Sequence, residues 1–471
     1  MSELKQCQVA VVGSGPGGAV TAATLSEQGL DVVLLEEGPR LNLDSCQAFS
    51  IEELRQKYRC GGLNPAMGAP RLALVEACCV GGGSEINSGL YHRTPPELLQ
   101  LWRERYQVRS LEEADLLPHF QACEAELSVQ CNPGAASAAS IKMKTGAERL
   151  GWKTLEVPRW VKYAADGQGR RQSMTETCIP CAERKGCQVL PDARVDRLER
   201  GTRGWRIKIV REGKPLEIEA EAAFVCCGAV GTPALLRRSG IRKNVGNSLA
   251  VHPTIKAVAI FEDEVNSNYA DVPTQQVREF SPLISMGCSI SSPPYLALAM
   301  TDHPHADVDV RRWWRRMAIY YAMITGPNTG VVRNLPLSPV PLIRYRLGAG
   351  DLRSLATALR QLCRLLLAAG ATEVYPSVAG MPVIKSEDDL TRIPAELPRN
   401  RTNLMTIHLF SSCPMGEARE VCAADSFGQV HGCPNLFVND ASMLCTAPGV
   451  NPQGSIMAVA RRNALHFCKR L

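Results

Sequence analysis

Long apolar runs and glycine-rich turns alternate at the start of the chain. CQVAVVGSG (7–15) and DVVLLEEG (31–38) are continuous apolar segments, the pattern of strands buried on both faces of a parallel sheet. Between them PGGAVTAATLSEQG (16–29) reads as a helix of small residues. The order is therefore strand, tight turn, helix, strand. A second signal of this kind, EAAFVCCGAVGTPALL, lies at 221–236, so the pieces of one nucleotide-binding domain are dispersed along the chain. Residues 351–370, DLRSLATALRQLCRLLLAAG, place Leu352, Leu355, Leu359, Leu362 and Leu366 on one helical face. Asp351 is expected to cap the start and Gly370 the end, with Arg353, Arg360 and Arg364 on a solvated face. MAIYYAMI (317–324) and PLIRYRL (341–347) read as strands. There is no internal repeat, and no charge-free apolar stretch of about 18 residues that would span a membrane.

Composition narrows the class. The 471 residues suffice for two or three domain-sized cores, with 45% hydrophobic and 21% charged residues. A net charge of +6 is too small for a dedicated nucleic-acid binder. Nineteen cysteines is an odd, scattered set; pairs such as Cys78-Cys79 and Cys226-Cys227 fall in apolar or glycine-rich runs, as small buried hydrophobes do. The chain enters a strand almost at once, which argues against a signal peptide, and a reducing cytoplasm is the expected compartment.

The first turn carries chemistry. Gly13-Ser-Gly15-Pro-Gly17-Gly18 is G-x-G-x-x-G between a strand and a helix. Such glycines let backbone approach a pyrophosphate, and the helix N-terminus offers free N–H groups. Glu36 ends the next strand, where a carboxylate accepts bonds from a ribose hydroxyl. An acid there disfavours a 2′-phosphate, leaving FAD or NAD. CIPCAERKGC (178–187) invites a zinc or iron–sulfur reading. However, no fourth ligand lies nearby, and the array runs into the apolar QVLPDARV. Cys178, Cys181 and Cys187 are thus expected to belong to a helix–strand joint, with no metal. RRWWRRM (311–317) is read as a surface element whose tryptophans cover MAIYYAMI or line an entrance.

Several blocks in order, GSGPGG with Glu36, VGGGSEIN (80–87), CCGAVGTPALLRRSGI (226–241), NVGNSLAVHP (244–253), HLFSSCPMG (408–416) and NLFVNDASMLCTAPGVNPQGSIMAVARR (435–462), resemble the glucose–methanol–choline (GMC) family of FAD-dependent oxidoreductases, bacterial branch. The resemblance weakens between about 255 and 400. It implies an α/β fold: a Rossmann-like FAD-binding domain and a second α+β substrate-binding domain, in the GMC or p-hydroxybenzoate-hydroxylase-like architecture. Residues 1–92, 188–250 and 401–471 are assigned to the first domain. Residues 93–187 and 251–400 are assigned to the second and to connecting helices. The resemblance implies that Gly13, Gly15, Gly18 and Glu36 hold the ADP half of FAD. Gly81, Gly82, Gly83, Ser84 and Asn87 would run along the pyrophosphate and isoalloxazine, and Asp440 would lie near the ribityl and pyrophosphate while capping a helix. His408 falls at the family's active-site histidine and Asn451 at its second catalytic position. The chain departs from the family at Ala77-Cys78 and Cys445. No histidine occupies 84–86, so the FAD is expected to be noncovalent.

The reaction so implied is oxidation of a primary or secondary alcohol. His408 serves as base, Asn451 anchors the oxygen, and hydride passes to the flavin N5. The partners are a small-molecule alcohol, such as a sugar or aminoglycoside hydroxyl, and oxygen or another electron acceptor; neither nucleic acid nor an integral membrane segment is expected. His252 and His431 are read as packing or flavin-edge residues, and His92 as a residue able to approach the flavin. Two alternatives stay open: a non-redox relative of hydroxynitrile lyase or photodecarboxylase type, and an iron–sulfur electron-transfer flavoprotein.

Overall fold

The computed structural model describes residues 5–62, 64–165, 168–267, 272–336 and 338–471. The N-terminal pattern folds as a β–α–β unit: β1 (Lys5–Val12), α1 (Pro16–Glu27) and β2 (Val32–Leu35). β1 pairs in parallel with β2 and, on its other edge, with β3 (Lys214–Val225), which leads into α2 (Gly228–Arg238). Strands 188–190 and 436–438 extend the parallel part, and 193–200 and 205–211 add an antiparallel edge, giving seven strands. The sheet is buried on both faces where residues 9–12, 32–35 and 222–225 run side by side, because those stretches carry only apolar or small side chains. The small residues of α1 let that helix lie close to it.

The second sheet has nine strands. At its centre β4 (Thr254–Phe261) pairs antiparallel with one flank of β6 (Met317–Ile324), whose other flank takes β5 (Ile284–Cys288). Its two faces are chemically different. Ile255, Ala257, Ala259 and Phe261 turn toward α3 (Ala349–Ala368), whose leucines 352, 355, 359, 362 and 366 are all fully buried. On the other face Val258 and Ile260 meet Met317, Ile319 and Tyr375 beneath Trp313 and Trp314. The remainder of that face, from Thr254 to Lys256, opens toward the first domain. β7 (Asn403–Thr406) completes the sheet's link to the strands 71–74 and 64–66, and α4 (Gln453–Cys468) returns to pack on α1.

Three expectations need adjusting. Asp351 is not the N-cap of α3: Gly348 is, and Asp351 sits three residues in, its carboxylate accepting the Gly348 N–H at 2.9 Å. Gly370 ends the helix as expected, at φ +91°. The assigned span 1–92 contributes strands 64–66 and 71–74 to the second sheet, and 403–406 joins them there, so both outer segments cross between sheets. Within 93–187, helices 96–106, 113–126 and 178–184 share the apolar core of the first sheet, and only 138–149 packs with the second. The reason is the apolar faces they carry: Leu99, Trp102, Leu116, Phe120 and Ile179 fill the space beside α1 and α4.

CIPCAERKGC forms the helix Cys178–Arg184 and the turn into strand 188–190. Cys178 and Cys187 are buried, and the Cys181 thiol points to Glu27 at 3.4 Å. Among the described residues all nineteen cysteines are free thiols, no three metal-ligating side chains converge, and no helix is long and apolar enough to cross a membrane.

Candidate active site

A cavity of about 420 Å³ runs between the two sheets. At one end stands the glycine turn after β1. Gly13 has φ +99°, and a Cβ there would lie 2.3 Å from the Cys226 carbonyl, so only glycine lets β1 and the turn after β3 approach. The 80–87 loop folds over this turn: a Cβ on Gly82 would come within 2.7 Å of the Gly15 Cα. The resulting groove is bare backbone. α1 directs its N-terminus at it without a side-chain cap, so its leading amides and positive dipole end remain available to an anion, and α4, also uncapped, starts beside Asn451 in the same cavity.

Glu36 lies in the same wall. Its Oε2 accepts the Ser14 amide (2.9 Å) and hydroxyl (2.6 Å), and its Oε1 accepts the Gly38 amide (2.9 Å). A carboxylate has about four acceptor positions, so one remains for a ligand hydroxyl. Burial pushes its carboxyl up, against those three bonds. Asp440 also lines the cavity, but its oxygens are used inside the protein. One accepts from the Gly228 amide and Thr232 hydroxyl, the other from the Ser442 amide and hydroxyl as cap of the turn 441–443. It therefore braces the turn after β3 against the 440–443 segment.

At the far end are His408 and Asn451. His408 Nδ1 lies 3.0 Å from His252 Nδ1, and the Gly449 amide donates to His252 Nε2 at 3.0 Å. That amide can only donate, which fixes the protons. His252 Nε2 is an acceptor, its Nδ1 carries hydrogen, and His408 receives that hydrogen at Nδ1. Neutral His408 then bears its own proton on Nε2, the nitrogen left to the cavity. Burial lowers His408 to about 4 and drives His252 further down, with repulsion from His408 added. Asn451 is held as firmly: Gln276 Nε2 donates to its Oδ1 at 3.0 Å and to the Tyr321 hydroxyl at 3.2 Å. The Asn451 amide is thereby turned with Nδ2 away from Gln276. His92 is buried beside Gln276 without a well-formed hydrogen bond to either ring nitrogen, and burial lowers it to about 3.

Of the residues singled out in the sequence, Gly13, Gly15, Glu36, Gly82, Gly83, Asn87, His408, Asp440 and Asn451 line this one cavity. Gly18, Gly81 and Ser84 do not. Gly18 packs on the Gly13 carbonyl, Gly81 turns the chain at φ +92° and the Ser84 hydroxyl braces the loop through Gly81 and Met174. His431 lies elsewhere, against the Gly416 carbonyl. The sequence did not single out Ser14, Lys256, Gln276 or Tyr321, and offered His252 as a packing or flavin-edge residue. Only strand alternation pointed to Lys256, two residues beyond Thr254 on one face of β4.

The GMC oxidoreductase family's N- and C-terminal sequence patterns match residues 54–254 and 333–460, and an NAD(P)-binding Rossmann-like domain matches 11–59. An uncharacterized GMC-type oxidoreductase of Sinorhizobium fredii is 38% identical over 98% of this chain and 95% of its own. A long-chain-alcohol oxidase of Arabidopsis thaliana is 27% identical over 97% of this chain and 67% of its own. The crystal structure of pyridoxine 4-oxidase from Mesorbium loti superimposes with a TM-score of 0.77 at 19% identity, over 98% of this chain and 99% of that one, and is similar in fold. The chain belongs to the GMC oxidoreductase family and is an oxidoreductase of the class acting on CH–OH donors.

Proposed function

We propose that the protein is an FAD-dependent oxidoreductase that converts an alcohol to a carbonyl at the His408–Asn451 end of the cavity. One observation carries the reading: a single cavity joins a pyrophosphate-type glycine turn, with Glu36 beside it, to a buried imidazole and a fixed amide. The residues present fit FAD. The bare groove between Gly15 and Gly82, the uncapped start of α1 and the spare acceptor of Glu36 match a pyrophosphate and a ribose. Glu85 and Ile86 are not nucleophiles of the kind that attach a flavin, and binding is proposed to be noncovalent. FAD, when bound, supplies the two-electron acceptor.

The chain's own part is to hold an oxygen and move a proton. The substrate hydroxyl sits between His408 Nε2 and Asn451 Nδ2. The amide donates to it and stabilises developing alkoxide charge. His408 Nε2 takes the hydroxyl proton in the tautomer with hydrogen on Nδ1. Reaching that tautomer moves the His252 proton to Nε2, opposite the Gly449 amide. Two buried N–H groups then face each other, each unpaired at a cost of about 1–3 kcal/mol, so this form is a minor one. In the resting form His408 Nε2–H donates to the same oxygen and orients it. The long-chain-alcohol oxidase relative supports alcohol oxidation, and the lyase, photodecarboxylase and iron–sulfur alternatives draw no support from the relatives described.

The test is anaerobic mixing of the yellow holoenzyme with a panel of alcohols. Loss of the oxidised flavin absorbance identifies a substrate class, and admitting air then separates oxidase from dehydrogenase. A flavin that no alcohol bleaches overturns the proposal.

A further inference from the structure

Lys256 lies on the cavity-facing side of β4, between Thr254 and Val258, with Tyr321 directly opposite it on β6. Its backbone carbonyl accepts the Ser377 amide, but its ammonium has neither a hydrogen-bond acceptor nor an ion-pair partner among the described residues. Burial lowers it to about 8, and no neighbouring charge contributes. Every carboxylate in the cavity wall is already engaged: Glu36 and Asp440 as described, Glu37 with Arg59, and Glu76 with Asn64. Lys256 is half-buried, with its side chain on the cavity wall, so a cation without a counter-charge stands where a ligand can supply the missing anion.

Its position says which ligand. The Tyr321 hydroxyl shares the Gln276 amide with Asn451, so Lys256 is one side chain removed from the oxygen-anchoring pair. Along the strand it stands four residues beyond His252, roughly 13 Å between Cα atoms at the usual rise, a span the lysine side chain shortens. The wall between them is Thr254 and Met323. A molecule with a hydroxyl at His408 and a negative group at Lys256 fits this spacing. Lysine offers one compact charge with neither the fork of an arginine nor a second cation beside it, which suits a monoanionic carboxylate better than a phosphate dianion.

We propose that Lys256 is a specificity-determining residue that receives the carboxylate of a hydroxy acid, whose hydroxyl carbon is the one oxidised. This rests on the alcohol-oxidation reading and narrows it. It also disfavours polycationic alcohols such as aminoglycosides, which would bring like charge to the lysine.

The test compares ω-hydroxyalkanoates of four to eight carbons with their methyl esters on the holoenzyme. The rate and substrate dependence of anaerobic flavin reduction are recorded for each. Calorimetric titration with the corresponding alkanoates, which lack the hydroxyl, and with their methyl esters reads binding alone. At neutral pH the wild type is expected to bind the carboxylate of the best length at least about tenfold more tightly than its ester. In Lys256→Met the acid-to-ester ratio should fall to about one, and Lys256→Arg should recover much of it. No preference for the carboxylate in the wild type, in either measurement, overturns the assignment. So does a Lys256→Met variant that loses acid and ester binding by the same factor, since the lysine would then serve the flavin or the fold. If no alcohol bleaches the flavin, the alcohol-oxidation reading falls and the calorimetric ratio alone decides the anion site.

Discussion

His252 and His408 face each other through their Nδ1 atoms at 3.0 Å, and the Gly449 amide holds the far nitrogen of His252. One backbone N–H thus dictates, across two rings, which nitrogen of His408 carries hydrogen toward the cavity. His252→Ala is expected to remove the acceptor that His408 Nδ1–H uses as the ring takes the substrate proton, and to admit water beside it. Flavin reduction should slow by about 10–100-fold, the cost of losing one buried charge-relevant hydrogen bond, about 1.5–3 kcal/mol. The acid limb of the reduction rate should also move up from about 4 toward the ordinary histidine value, as the imidazolium becomes better solvated. Stopped-flow reduction across pH 4–8 measures both, and an unchanged profile removes His252 from the relay.

Gln276 is the corresponding support for Asn451. It is buried and spends its amide on the Asn451 Oδ1 and the Tyr321 hydroxyl. Gln276→Leu keeps the bulk and deletes the donor, leaving Asn451 free to rotate its oxygen toward the substrate. A loss of about 1–3 kcal/mol corresponds to a 5–150-fold fall in the reduction rate, with flavin content unchanged. A variant that reduces at the wild-type rate would show that Asn451 is held by something else.

At the other end of the cavity, Glu36 accepts three N–H or O–H groups that all donate. Glu36→Gln is nearly isosteric but must turn an NH2 toward one of them. It also loses the negative charge that makes the remaining acceptor strong. FAD affinity is expected to fall about 10–100-fold, or about 1.4–2.8 kcal/mol, measured by titrating apoprotein with FAD. Acid precipitation of the wild type should release all of the flavin into the supernatant if binding is noncovalent.

The parts of this design that are local in sequence were legible there. The turn at Gly13, the leucine face of α3 and the strand Met317–Ile324 each announce themselves within a dozen residues, because backbone geometry and burial act at that range. What escaped is what joins distant segments. His252 and His408 are 156 positions apart, and no spacing rule connects them. Gln276 reads as one polar residue in a short strand, and the strand pair 64–66 and 71–74 is too brief to reveal which sheet it joins. Lys256 looks like the ordinary outward charge of an alternating strand until the cavity is seen on that side.

Five histidines shape how the protein should respond to acid. Burial lowers His92 to about 3 and His119 and His408 to about 4, lowers His466, and holds His252 well below the usual value; arginines beside His92, His119 and His466 and the His252–His408 repulsion act in the same direction. In the unfolded chain each titrates near about 6.5. Between that value and the folded ones the unfolded state binds more protons. Stability therefore rises with pH through this window and is lost as pH falls from about 6.5 toward 4. Six buried carboxyls, Glu36, Glu53, Glu76, Glu85, Asp302 and Asp440, act oppositely, since burial raises them and acid favours their folded protonated forms over a window that climbs from the carboxylate range toward the histidine one. The histidines alone therefore pull the midpoint of thermal unfolding of the holoenzyme down on going from pH 7 to pH 5, and substituting one of them isolates its share. In His119→Asn, which lies outside the cavity against Arg461, the slope of that drop should be shallower by close to one proton's worth. A His119→Asn variant whose pH dependence matches the wild type over this range would mean that His119 is solvated enough to titrate normally in the folded protein.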